Sequence, residues 1–469
     1  MTAESSTLES TVAQFVVGFD ASGIDAGGLA SAKSLIKDQL AIQVGASQLP
    51  WSRQVRAARE LRPGTSTLVG EQQRVAAADA AYLNATYGHG FEYDDYAGNA
   101  HPGCCVVPVA LAVGESVGAT LEQMVVAMVA GYETYVRIGR LGSPDLLNAG
   151  WQPHAVLANF GAAAVAAKLH GLDEERTLHA LSIALSHASG TTEYASTGGS
   201  IKRAHAGVAA RNGIESVDLA RAGITGPRRF LTGDRGLYRT FIRKVVGDEA
   251  RADFLPGEPL QISQLSFKAY CCCAANHAYI EALAGVRSRA PEIDTIEARI
   301  QTMSDAIVGT RNAHIYAPRN IEELQYSLPA QMALSVLGKG NGYQTHRDVL
   351  EDRLRLSPDS DVLAMARRIK LSGSTELDQK YPRKFVADVT VRYKDGSSQD
   401  IFVDRVTGRP DKPFTPQEHQ AKLDELTHAV VGAERAGRMF DLVDRLPAST
   451  PVGELTALLR SQPGPKKET

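Results

Sequence analysis

Four stretches of this sequence bring together side chains able to move protons or hold anions. The densest is Phe91-Glu-Tyr-Asp-Asp-Tyr-Ala-Gly-Asn-Ala-His-Pro-Gly103, with three carboxylates and one histidine between apolar helical segments. A carboxylate such as Asp94 next to the imidazole of His101 orients the ring for acid-base work. The same composition also reads as an acidic loop capping a helix that starts near Pro102.

A second stretch, Gly198-Gly-Ser-Ile-Lys-Arg-Ala-His-Ala-Gly207, sets glycines ahead of Lys202, Arg203 and His205. A helix beginning near Ser200 would add free backbone N–H groups to those cations and make a carboxylate site. The plain alternative is a helix whose basic residues face water. The third stretch, Phe267-Lys-Ala-Tyr-Cys-Cys-Cys-Ala-Ala-Asn-His277, lies where composition shifts, as at a domain boundary where ligand clefts form. Lys268 and His277 are its polar candidates, and the cysteines read as small apolar packing. The fourth, Gly150-Trp-Gln-Pro-His154, precedes an alanine-rich helix, with Gln152 and His154 offering hydrogen bonds at its entrance. A helix start explains Pro153 equally well.

The elements that must position these residues fall into three parts. From Ala26 to about Ala222 the pattern is helical, with Leu29, Leu35, Ile36 and Leu40 at helical spacing. The alanine-rich runs Thr120–Ile138, Val156–His170, Asp173–His187 and Arg203–Ala222 follow, their small residues letting helices approach closely. After Phe267, alternation appears over Ile296–Met303, Arg367–Ser372 and Val386–Tyr393. Lys394-Asp395-Gly396 sits before Asp400-Ile-Phe-Val403 like a hairpin turn. Helical segments His277–Ser288 and Pro329–Leu337 are mixed with these strands. Beyond Pro413 helices return, with Thr415 an N-cap and Glu418 completing a capping box. The expected architecture is mainly α: an all-helical domain of residues 1–265 plus 413–460, an α+β lid domain of 266–412, and a flexible tail of 461–469.

Composition excludes other classes. The 50 basic and 53 acidic side chains leave a formal charge of -3, so no global field draws nucleic acid or an anionic membrane. No apolar run reaches the ~20 residues that cross a bilayer, and MTAESSTLEST lacks the regions of a secretion signal, so a cytoplasmic location is expected. The five cysteines sit as Cys104-Cys105 and Cys271-Cys272-Cys273, which suits neither a disulfide framework nor tetrahedral zinc. Walker, HExxH and GxSxG motifs do not occur.

Taken together, the segments resemble the MmgE/PrpD family, which includes 2-methylcitrate dehydratase and cis-aconitate decarboxylase. The resemblance rests on Asp94-Asp95 followed by His101-Pro102-Gly103, on Gly131-Tyr132-Glu133, Phe160-Gly161 and Lys202-Arg-Ala-His-Ala-Gly207, and on Gly223-Ile-Thr-Gly-Pro227 and Tyr270-Cys-Cys before His277. It implies a large helical domain with a smaller lid, usually in a homodimer. It also implies a cofactor-independent lyase that transfers a proton alpha to a carboxylate of a small di- or tricarboxylate. His101 then matches the proton-transfer histidine and Lys202 the lysine on the substrate. Asp94 supports the loop, while His277 and Lys268 lie near the cleft, and Arg203 helps hold the anion.

Departures from the family pattern narrow this expectation. Gln152 stands where decarboxylase-like members usually carry histidine, and Ala330 in Tyr326-Ser-Leu-Pro-Ala330 where they carry tyrosine. Glutamine is no general acid near pH 7 and alanine donates no proton, so a standard cis-aconitate decarboxylase is disfavoured. His154 is the substitute acid if the helix entrance brings it into the cleft. Tyr96, where some relatives have threonine, implies a remodelled substrate pocket. Two alternatives stay open: an epimerase or isomerase of a dicarboxylate, and a non-catalytic paralogue that binds a polycarboxylate.

Overall fold

The computed structural model describes residues 7–98, 100–197 and 199–461, so Asn99, Gly198 and all of the expected tail except Ser461 lie outside the described residues. The N-terminal half is a stack of helices. Those that position the site are α1 (Ala26–Ala46), α2 (Ala77–His89), α3 (Gly103–Val117), α4 (Leu121–Gly142), α5 (Pro153–Leu169), α6 (Glu174–His187) and α7 (His205–Arg221). Helix α5, buried from Pro153 to Ala167, is the hub, touching α3, α4, α6 and α7, while α2 packs on α1, α3 and α7.

Small residues make these approaches possible. A methyl group at Gly213 of α7 would stand 2.3 Å from Cβ of Ala162 on α5, and one at Gly207 would meet the Tyr82 carbonyl of α2 at 2.3 Å. Only glycine allows such backbone contact at native packing density. Between α1 and α2 the helical pattern is interrupted by the short strands Pro63–Thr67 and Arg74–Val75, which pair antiparallel. One strand has only two residues and the other, Pro-Gly-Thr-Ser-Thr, has no apolar alternation, so no period-2 signal can be read.

The second region combines helices with a four-stranded sheet. Its helices include α8 (His277–Ala284) and α9 (Leu328–Val336), which pack on each other. The sheet contains β3 (Ile293–Ile300), β4 (Ile369–Gly373), β5 (Ala387–Tyr393) and β6 (Ser398–Val403) in the order β4-β3-β5-β6. The β3–β4 pair is parallel and the others antiparallel. Alternate burial along β5 gives the sheet a covered face, on which α8 lies. The β5–β6 turn runs through Lys394-Asp395-Gly396, with Gly396 at φ +85°. Helix α10 (Pro416–Val431) starts with the Thr415–Glu418 capping box and packs against α1, far back in the sequence.

Two very short strands tie the regions together. β1 (Asp95–Tyr96) pairs antiparallel with β2 (Ser266–Phe267), matching Asp95 to Phe267 and Tyr96 to Ser266. One step further along this register, Asp94 faces Lys268.

Candidate active site

Helix α2 delivers His89 at its C-terminus, and the loop leading to α3 then supplies Glu92, Asp94 and His101. Asp94 is the hub. Its Oδ2 lies 2.8 Å from His89 Nδ1 and 3.2 Å from His101 Nδ1, while its Oδ1 accepts from Lys268 Nζ at 3.0 Å. Lys268 also donates to Glu92 Oε2 at 3.0 Å, and the other oxygen of Glu92 touches Lys202 Nζ and accepts from the Tyr326 hydroxyl at 3.3 Å. A continuous line of contacts therefore joins His101 to Lys202 through Asp94, Lys268 and Glu92. The Glu92 backbone has φ +56°, in the left-handed region that glutamate seldom enters.

The local fold explains these placements. His101 Nδ1 is also 3.1 Å from the Asp95 carbonyl, and the His101 N–H donates to the Tyr135 hydroxyl at 3.2 Å. With Nδ1 engaged, Nε2 is the free edge of a ring that is 15% exposed. Asp95 turns its carboxylate the other way and accepts the Gly103 N–H at the start of α3. The helix expected near Ser200 starts there as a 3-10 turn, Ile201–Ala204, and α7 proper begins at His205, so Lys202 and Arg203 do not stand at an α-helix N-terminus. Nor do they face water, since Lys202, Arg203 and His205 are all buried.

Electrostatics sort the groups by charge. Burial alone would raise the Asp94 carboxyl, but Lys268, His101 and His89 hold it well below the usual carboxylate range. Lys268 is lowered by burial yet held above its ordinary value by Asp94. Burial drives His89 down to about 3 and His154 well below 6.5, so both rings are neutral near pH 7. Burial, with the adjacent Asp94 charge, lifts Asp95 to about 7. Burial and the charge of Lys268 push the Lys202 ammonium down.

The remaining expected residues divide. His154 is buried behind His89, ring centroids 4.7 Å apart, with Nδ1 3.0 Å from the Tyr135 hydroxyl. Gln152 is the N-cap of α5: its Oε1 accepts the His154 N–H and its Nε2 donates to the Tyr194 hydroxyl at 2.9 Å. Arg203 is consumed by other contacts, with Glu322, the Gly90 carbonyl and Gln325, and it lies over the Trp51 ring. His277 stands at the start of α8, edge-on to Tyr270 and 3.4 Å from the Cys272 carbonyl, and burial takes it down to about 3. It makes no described contact with the Asp94 group. Ala330 is fully buried in α9.

Two cavities flank this network. One of about 100 Å³ is lined by Glu92, Tyr194, Lys202, Arg203, Glu322 and Tyr326 among others. His101 does not line it and reaches it only through the contacts above. The other, about 420 Å³, runs past Tyr96, Tyr135, Arg140, Pro153, Phe385 and Arg409. Sequence reasoning passed over His89, Tyr194 and Tyr326. His89 offered only its place two residues ahead of the acidic loop, and Tyr326 only its adjacency to Ser-Leu-Pro-Ala330.

Among the described residues, one group has ligand atoms close enough to share a metal: His89, Asp94 and His101, within 4.8 Å of one another. The Lys268 ammonium, 3.0 Å from the same carboxylate, would repel a cation there, so the donor set fits proton chemistry better. All five cysteines are free thiols, four of them buried.

The MmgE/PrpD N-terminal domain profile matches residues 10–246, and the MmgE/PrpD C-terminal domain profile matches residues 270–446. A cis-aconitate decarboxylase-like protein, oryM, of Aspergillus oryzae is 29% identical over 492 aligned positions, covering 98% of this chain and all of that protein. The cis-aconitate decarboxylase of Aspergillus terreus is 28% identical over 91% of each chain, and that of Homo sapiens is 28% identical over 48% of this chain and 47% of its own. These matches define an enzyme of the lyase class. The chain belongs to the MmgE/PrpD family. No described helix is long and apolar enough to cross a membrane.

Proposed function

We propose that this lyase removes water or carbon dioxide from a small polycarboxylate by proton transfer at the carbon alpha to a carboxylate, using its own side chains and no cofactor. The observation that carries the reading is Asp94, which contacts His101 Nδ1 and Lys268 Nζ through its two oxygens. A carboxylate on Nδ1 fixes the tautomer that leaves Nε2 as the proton acceptor. In dehydration, His101 takes the alpha proton and hydroxide departs from the neighbouring carbon. In decarboxylation, the electron pair left by carbon dioxide is quenched by a proton returned from His101. Either way negative charge gathers on a carboxylate, where Lys202 and Lys268 supply a preorganised positive field.

The test is turnover of citrate, 2-methylcitrate and cis-aconitate, followed by mass spectrometry, in the parent and in His101→Ala and Lys202→Ala. Loss of turnover in both variants supports the assignment, and full activity in either overturns it.

Gln152 favours a second reading. Its amide is committed to the α5 N-cap and to Tyr194, so no acid stands at that position to assist a leaving group. Epimerisation of a dicarboxylate needs only removal and return of a proton. Deuterium entering the alpha carbon without an elimination product would select it.

A further inference from the structure

The line of contacts that starts at His101 ends at a pair of phenols. Tyr326 donates to Glu92 Oε1 at 3.3 Å, and the hydroxyl of Tyr194 faces that of Tyr326, their rings edge-on with centroids 6.3 Å apart. Both side chains line the cavity of about 100 Å³ beside Lys202. We propose that Tyr326 is the catalytic acid of this site, giving its proton to the hydroxyl that leaves when water is eliminated. This rests on the reading of the protein as a lyase and completes its dehydration branch, which has a base in His101 but no acid for the leaving group.

Three observations carry it. First, the donors run one way. Gln152 Nε2 donates to the Tyr194 oxygen at 2.9 Å, which leaves the Tyr194 proton to point at Tyr326 and the Tyr326 proton to point at Glu92 on the cavity wall. A hydroxyl that accepts on one side donates better on the other. Gln152 has no acidic proton of its own, but it orients two groups that do. Second, the proton is present and loosely held. Burial keeps both phenols above their ordinary value, so each is protonated near pH 7. At 3.3 Å the bond to Glu92 is long for O–H···O, so a substrate oxygen entering the cavity can replace it. Third, the phenolate left behind has cations near it. The charge of Arg203 favours that form of Tyr326, and Lys202 Nζ lies 5.5 Å from its ring centroid.

The step balances. His101 takes the alpha proton, the C–O bond breaks with its electron pair going to oxygen, and that oxygen takes the Tyr326 proton and leaves as water. The imidazolium then loses a proton to solvent and the phenolate gains one.

The experiment offers citrate, 2-methylcitrate and cis-aconitate in deuterium oxide to the full chain and to Tyr326→Phe, with His101→Ala as reference. Mass spectrometry follows elimination and also deuterium at the alpha carbon of unconverted acid. In Tyr326→Phe, elimination of water should fall at least about a hundredfold, while deuterium still enters because His101 is intact. His101→Ala should lose both. If Tyr326→Phe does not fold, Tyr194→Phe takes its place, with exchange kept and elimination down about tenfold. Elimination at the parent's rate in the phenylalanine variant, or loss of exchange together with elimination, overturns the role of Tyr326 and leaves the lyase reading standing. So does a parent that only decarboxylates cis-aconitate, which has no hydroxyl to lose. A parent that acts on none of the three acids, or only exchanges deuterium, overturns the reading and the role together.

Discussion

Asp94 faces Lys268 across a strand pairing only two residues long, with Nζ and Oδ1 3.0 Å apart although the residues are 174 positions apart in the chain. This contact joins the helical half of the protein to the start of the sheet-containing region. It also links the imidazole of His101 to the Glu92–Lys202 pair. Each partner is buried, so each depends on the other for its charge.

Breaking that pair should cost more than deleting it. Asp94→Ala leaves an ammonium buried with Glu92 as its remaining partner, and a loss of about 3 kcal/mol is expected. Asp94→Ala combined with Lys268→Met should be less destabilised than the sum of the two single changes. Urea unfolding of the four proteins measures the difference, and simple additivity would show that the pair is not coupled.

His101→Ala should behave differently, because its ring is partly exposed. We expect kcat to fall by ~10²–10⁴-fold, the usual contribution of a positioned acid-base group. The melting temperature should change little. A variant that loses activity only in proportion to lost folded protein would place His101 among structural residues.

How much of this was legible beforehand depended on sequence separation. Helices such as α5 announce themselves through runs like Phe160-Gly-Ala-Ala-Ala, and the Thr415–Glu418 cap is a local signal. The Asp94 loop and the Lys202 turn stand out through local clustering of polar groups. The β1–β2 pairing does not, since strands of two residues have no periodicity to read. Without that register, Glu92 gives no hint that it bridges Lys202 and Lys268. His89 is hidden for a related reason, as the last residue of an otherwise unremarkable alanine-rich helix. Ser200 looked like a helix start, but the backbone there makes a 3-10 turn, and that choice buries Lys202.

Stability should decline on the acid side. His89 and His277 are depressed to about 3, His205 and His346 to about 4, and His154 lies well below its ordinary value, in each case chiefly by burial. Unfolded histidine binds a proton near pH 6.5, so below that pH the unfolded chain holds more protons than the native one. Native stability therefore falls as pH drops from about 6.5 toward 4. Asp95, raised to about 7, works the other way between about 7 and 3.8, as does Glu425, also raised by burial, but they are two carboxyls against these five histidines. Melting temperatures that stay level from pH 7 to pH 4.5 would contradict this account.

Helix contacts can be tested with a matched pair of glycines. Gly213→Ala drives a methyl group into Ala162, and a loss of ~1–3 kcal/mol is expected from overpacking. Gly437, in the helix Ala433–Arg445, has nothing within 4 Å of an added Cβ. Gly437→Ala should thus raise stability by ~0.5–1 kcal/mol through helix propensity alone. Equal effects at the two sites would mean that close packing is not what selects glycine at 213.

Lys202 and Arg203 are neighbours with opposite expected phenotypes. The guanidinium of Arg203 is used up by Glu322, the Gly90 carbonyl and Gln325, and it stacks on Trp51 with Cζ 3.8 Å from the ring centroid. Lysine cannot reproduce that fork or the stacking, so Arg203→Lys should lower stability by ~2–4 kcal/mol. Lys202, by contrast, touches only the Glu92 side of the network and lines the small cavity. Its stem is retained in Lys202→Met, and in the proposed mechanism its ammonium faces the developing substrate charge, so kcat/KM should drop by ~10²-fold or more while the fold persists. Measuring unfolding and kcat/KM in parallel separates the two residues. If Arg203→Lys were the catalytic defect and Lys202→Met the structural one, the small cavity would lose its claim to be the substrate site, because the lysine on its wall would have proved dispensable for turnover.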